Sequence, residues 1–142
     1  MKKVKLVLDT NVLLVSLPEF SPWHWIIKAL LNSQFILLLT NEMVVEYDEK
    51  MLERYNAAYT KDLLDLFLKL ENVQLIDPAF KWNLISADAD DNKFVDCAVA
   101  GNADFIVSND RHFQILKKVG FPGISVLTVS EFDKQFKEKL EF

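Results

Sequence analysis

Glycine, proline, histidine and cysteine are all scarce in this chain of 142 residues, at three, four, two and one respectively. A single cysteine, Cys97, excludes an internal disulfide and a thiolate metal cluster, and it agrees with a reducing compartment. Its neighbours suit a small apolar residue buried in a helix. With so little glycine and proline, no linker or low-complexity tract divides the chain, and no internal repeat is visible. Long apolar runs are missing too: Phe35-Ile36-Leu37-Leu38-Leu39 is far too short to span a bilayer. The Met1-Lys2-Lys3 start reaches Asp9 before a signal-peptide core can form. These absences lead us to expect one domain over residues 1–142 that is soluble, cytoplasmic and without a membrane partner.

What is present is apolar residues, 51% of the chain, enough for one proper core. The formal net charge of −5 disfavours long-range attraction of nucleic acid. That objection weakens if several acids gather around divalent cations, which would reverse the field where a phosphate must sit.

Val4-Lys5-Leu6-Val7-Leu8 is a β-prone run ending at Asp9-Thr10-Asn11, side chains that favour leaving a strand. Ser21-Pro22 reads as a helix start, with Trp25, Ile26, Ala29 and Leu30 at helical spacing. Phe35 to Leu39 follows as a buried strand. Thr40 or Asn41 can cap a helix whose apolar positions Met43, Val44, Tyr47 and Met51 share one face, and a further helix is predicted over Thr60 to Leu70. Val73 to Asp77 reads as a strand stopped by Pro78, and a helix should begin at Asp88-Ala89-Asp90-Asp91. Asp104 to Ser108 is another strand, then a short helix with Phe113, Leu116 and Val119, a last strand from Ser125 to Val129, and a helix from Ser130. Strands alternating with helices argue for an open α/β/α sandwich with a mainly parallel sheet, whose site lies outside the carboxyl ends of the strands.

Asp9 and Asp110 both stand where an apolar strand gives way to a turn, so a parallel arrangement brings them to one sheet edge. A third acid should come from Asp90 or Asp91, and a fourth from the helix carrying Glu42 and Glu46. Each has an ordinary alternative: Asp9 and Asp110 as turn formers, Asp90 as an N-cap, the glutamates as a solvated face. Four carboxylates in one cleft repel one another unless cations neutralise them, and oxygen-only ligands suit Mg²⁺ or Mn²⁺. The chemistry this favours is metal-assisted attack of water on phosphorus.

Leu8-Asp9-Thr10-Asn11-Val12, then Glu46-Tyr47, then Asp90-Asp91-Asn92-Lys93-Phe94, then Val107-Ser108-Asn109-Asp110 together resemble the PIN domain, in order and over nearly the whole chain. The stretch from Asp88 through Ala103-Asp104-Phe105-Ile106-Val107-Ser108-Asn109-Asp110 looks like the branch of VapC-type toxins of type II toxin-antitoxin pairs. The resemblance implies a PIN-like α/β/α fold and a metal-dependent ribonuclease with Mg²⁺ or Mn²⁺ as cofactor. It makes Asp9, Glu46, Asp91 and Asp110 the catalytic, metal-binding acids, with Asn11 and Ser108 as polar supports. By spacing to the last motif Asp91 is preferred over Asp90; Glu42, one turn before Glu46, competes for its role. An RNA substrate, a cognate antitoxin and a homodimer are the partners it implies. A housekeeping PIN nuclease shares these residues, and a catalytically silent RNA-binding PIN module shares the fold.

Two other phosphate chemistries use an acid at the end of a first strand. A haloacid-dehalogenase-type enzyme wants a second Asp where this chain has Asn11, and a response-regulator receiver wants an earlier acid pair that Lys3 and Lys5 do not replace. Lys93 and Arg111 lie beside the third and fourth acids, where phosphate contact and plain solvation compete. His24 and His112 have no partner by spacing. Trp23, Trp25 and Trp82 are expected in packing rather than against bases.

Overall fold

The computed structural model describes residues 2–85, 89–118 and 123–140. Five short strands, β1 (Lys5–Leu8), β2 (Ile36–Leu39), β3 (Val73–Leu75), β4 (Phe105–Val107) and β5 (Val126–Leu127), form one sheet in the order β3-β2-β1-β4-β5. Every pairing is parallel. The helices are α1 (Thr10–Ser16), α2 (Trp25–Leu31), α3 (Asn41–Leu52), α4 (Ala57–Lys69), α5 (Asn92–Ala100) and α6 (Val129–Phe136), with 3-10 segments at Ala89–Asp91 and Arg111–Lys118. Together they make an α/β/α sandwich.

The chain builds outward from β1 to β3 on one side, then returns to lay β4 and β5 on the other. The order therefore reverses between β1 and β4, the switch point at which a crevice opens at the carboxyl edge of a doubly wound sheet. Leu6, Val7 and Leu8 of β1 face Phe105, Ile106 and Val107 of β4 in register, so Asp9 and Ser108 leave the sheet side by side. All six of those apolar residues are buried, because a central strand covered on both faces has no solvent side.

Helix starts follow local chemistry. Thr40 caps α3 by accepting the Met43 N–H, Asn56 caps α4 through Tyr59, and Thr128 with Glu131 forms a reciprocal capping box at α6. Of the face expected on α3, Met43, Tyr47 and Met51 are buried. On α4, Leu64 and Phe67 are buried while Leu68 is exposed. Phe132 of α6 packs against Trp25, Phe105 and Phe136 at ring-centroid distances of 5.2, 5.6 and 5.4 Å, tying α2 and α6 to one core.

Two expectations need correction, and one helix, α1, met no expectation. Helix α1 begins directly after Asp9, where the run Val12-Leu13-Leu14 carries no helical periodicity because nearly the whole short helix is buried. Helix α2 starts at Trp25, since Ser21 spends its hydroxyl on the Trp23 N–H and residues 21–24 form turns. Val129 opens α6 rather than closing β5, because Thr128 is the cap. Asp88 and Val119 lie outside the described residues.

Candidate active site

Asp9 is placed by the register of β1 on β4 and by its own capping of α1. Its Oδ1 accepts the Asn11 N–H at 2.7 Å, and its Oδ2 accepts the hydroxyl of Ser108 at 2.6 Å across 99 residues of sequence. Ser108, fully buried, also accepts the Asp110 N–H at 3.0 Å, so one hydroxyl sets the positions of both acids. Asn11 contributes its backbone here; its side chain is exposed. Burial pushes the Asp9 carboxyl above the usual range against the pull of its Ser108 and Asn11 hydrogen bonds, and the charges of Asp110 and Glu46 push the same way.

Glu46 reaches this edge because its neighbour Tyr47 is locked to the end of β1: the buried phenol donates to the Leu8 carbonyl at 2.5 Å. The Glu46 carboxylate accepts the Thr10 hydroxyl and, at 2.8 Å, the Lys93 ammonium. Lys93 is mostly covered; burial alone would lower its pKa, but the hydrogen bond and charge of Glu46, with Asp90 and Glu42 beyond, hold it raised. Glu42 by contrast is largely in solvent, 4.0 Å from Lys81.

Asp91 stands at the N-cap of α5 yet makes no capping hydrogen bond there. Its Oδ2 is 3.5 Å from His112 Nδ1, which is 3.4 Å from Asp110 Oδ1. Asp110 is held in turn by the His112 N–H, which donates to Oδ1 at 2.9 Å and starts the 3-10 segment. Ligand atoms of Asp91, Asp110 and His112 all lie within 4.8 Å of one another. Asp90, next in sequence, is exposed.

The fold therefore brings Asp9, Asp91, Asp110 and Glu46 to one edge, in a graded way. Asp91 and Asp110 converge directly, Asp9 joins through Ser108, and Glu46 stands beyond Thr10 with Lys93 as its counter-ion. Asp96 does not join them: it is buried, and its Oδ1 accepts the Trp82 N–H at 2.9 Å. The same helix presents Asn92, whose side chain bonds both the N–H and the carbonyl of Ile85 at 2.8 and 2.9 Å. Two polar side chains of α5 thus pin the preceding irregular segment beside the site.

His112 and the buried role of Lys93 escaped the sequence. The signal for His112 was its place two residues after Asp110, where an Asp-initiated turn folds a side chain back. Trp25 is a core residue whose indole N–H donates to Asp133 at 2.8 Å, as expected of a buried tryptophan.

A family profile described as the PIN domain matches residues 5–112. No match is found among curated proteins. Among solved structures, this chain is similar in fold to a chain of VapBC2 from Rickettsia felis bound to a DNA fragment from its promoter. The TM-score is 0.60 at 16% identity, over 88% of this chain and 98% of that one. It is also similar to a chain of FitAB bound to an IR36 DNA fragment, with a TM-score of 0.54 at 15% identity, over 87% of this chain and 94% of that one. The matched region runs from the start of β1 to His112 and so spans Asp9, Glu46, Asp91 and Asp110: the chain belongs to the PIN domain family.

Proposed function

We propose that this protein is a divalent-metal-dependent endoribonuclease whose metal-binding acids are Asp9, Glu46, Asp91 and Asp110. The observation that carries the reading is the meeting of carboxylates at the β1/β4 switch point, with Ser108 holding Asp9 and the Asp110 backbone together. The donor set fits a cation. Carboxylate oxygens suit Mg²⁺ or Mn²⁺, and positive charge would relieve the repulsion that, with burial, lifts the Asp9 carboxyl. When bound, such an ion supplies an activated water and neutralises charge on the phosphodiester.

The chain's own residues supply the rest. Ser108 and the Asn11 N–H fix both oxygens of Asp9. Thr10 and Lys93 orient Glu46, and the Lys93 ammonium adds positive charge beside the acids where a phosphate would approach. Asp91, at the start of α5, and Asp110, braced by two backbone N–H contacts around it, face each other across His112.

The toxin of a toxin-antitoxin pair is the biological role we favour, on the VapC-like sequence pattern and the fold shared with chains of VapBC2 and FitAB. An antitoxin and a second copy of the chain are its partners in this reading. Exposed apolar side chains along α3 and α4, among them Val45, Leu52, Tyr59 and Leu66, give such partners something to cover. Among the described residues no helix is long and apolar enough to cross a membrane, in keeping with a cytoplasmic site of action.

Incubation with a panel of cellular RNAs tests the activity: cleavage should require Mg²⁺ or Mn²⁺ and stop in excess EDTA, and undiminished cleavage in chelator would defeat the metal mechanism. Sedimentation at micromolar concentration should give a dimer.

A further inference from the structure

Resting on the metal-dependent reading, we propose that His112 is itself a metal ligand, through Nδ1, and that it tunes the Asp91–Asp110 site toward Mn²⁺ over Mg²⁺. The ring lies between the two carboxylates, with Nδ1 at 3.5 Å from Asp91 Oδ2 and 3.4 Å from Asp110 Oδ1. Both separations are longer than an N–H···O hydrogen bond, which falls at about 2.7–3.2 Å. Adjacent donors bound at about 2.1 Å to one octahedral ion stand roughly 3.0 Å apart, so an inward shift of about half an ångström brings these side chains onto a shared cation.

Nδ1 is buried and makes no hydrogen bond among the described residues, although a buried ring nitrogen ordinarily finds a partner. Its position is built rather than incidental. The His112 N–H donates to Asp110 Oδ1 at 2.9 Å, so the backbone that carries the ring is tied to the carboxylate it would share an ion with. The Asp110 N–H is in turn tied to Ser108, and Ser108 to Asp9. A neutral imidazole with its proton on Nε2 presents a lone pair at Nδ1 to a cation. Mg²⁺ prefers an all-oxygen octahedron and keeps its waters, whereas one imidazole among carboxylates suits Mn²⁺ and later first-row ions better.

Metal titration of the full chain decides this independently of RNA cleavage. Wild type, His112→Ala and His112→Gln, each checked for fold by circular dichroism, would be titrated with Mg²⁺ and Mn²⁺ by calorimetry and with Co²⁺ by visible absorption. Wild type should bind Mn²⁺ more tightly than Mg²⁺, and its Co²⁺ spectrum should change on loss of the imidazole. Both variants should lose about 10- to 100-fold in Mn²⁺ and Co²⁺ affinity, the scale on which a ligand-shell change acts, with Mg²⁺ binding nearly unmoved. Unchanged Mn²⁺ affinity and Co²⁺ spectra in both variants, alongside lost binding in Asp91→Asn, would overturn the role of His112 and leave the nuclease reading standing. Absence of any divalent binding by wild type would overturn both.

Discussion

The central strand pair carries acids at both of its ends, and the two ends use them differently. At the amino end Asp104, exposed, accepts the Lys5 N–H at 2.7 Å and ties the start of β1 to the start of β4. At the carboxyl end Asp9 does a similar local job for the Asn11 N–H, also at 2.7 Å. Asp9, however, is buried, shares Ser108 with Asp110 and faces the charge of Glu46, and its carboxyl is raised by burial first and by those neighbours after. A satisfied backbone donor thus explains Asp104 completely and Asp9 only in part. An acid that is costly to ionise among other acids fits the cation proposed above, whose charge would offset both the burial and the neighbouring carboxylates.

Neutralising the acids at the two ends gives the largest contrast. Asp9→Asn, Asp91→Asn and Asp110→Asn should each lower RNA cleavage by about 10²-fold or more, since catalysis depends on where the ion and its water sit. Asp104→Asn keeps the acceptor for Lys5, and Asp96→Asn keeps the acceptor for Trp82, so both should retain most activity. An inactive Asp96→Asn beside an active Asp91→Asn would show that the third acid is misassigned.

The two glutamates of α3 sharpen the comparison one turn apart. Glu46→Gln removes one of the four proposed metal-binding carboxylates and the charge that holds Lys93, and should cost about 10- to 100-fold or more in activity. Glu42→Gln, in solvent and 4.0 Å from Lys81, should stay near wild type. Equal losses in steady-state assays would remove the distinction drawn between them.

The smallest effect is in stability. A carboxyl whose folded pKa lies above its unfolded value binds more protons in the native state, so native stability falls as pH rises through that interval. Asp9→Asn removes this dependence. In chelator its melting temperature should therefore equal or exceed that of wild type near neutral pH, with the gain shrinking as pH falls toward the ordinary carboxylate range. A variant that melts well below wild type at neutral pH would mean that the Ser108 and Asn11 hydrogen bonds need the charge more than burial opposes it.

Much of this is legible in the sequence. The strand ends at Asp9 and Asp110, the capping threonine before α3 and the acidic start of α5 are local signals, carried by alternating or helical spacing and by side chains that bond their own backbone. Helix α1 was not legible, because a short helix buried almost all round has no polar face to mark its period.

By itself the sequence determined the alternation of strands and helices, hence a parallel sheet with its site at the carboxyl edge, and it narrowed the acids there to Asp9, Asp110, Asp90 or Asp91, and Glu42 or Glu46. Only the tertiary structure decided how those acids are joined. The hydrogen bond from Ser108 to Asp9 spans 99 residues and exists because β1 and β4 pair in one register. The pairing of Lys93 with Glu46 spans 47 and exists because Tyr47 docks α3 on Leu8. The placing of His112 between Asp91 and Asp110 needs α5 and the turn after β4 to meet. Local spacing controls direction along an element over a few residues; separations of a few ångströms between distant residues follow from packing and register, which no short window of sequence contains.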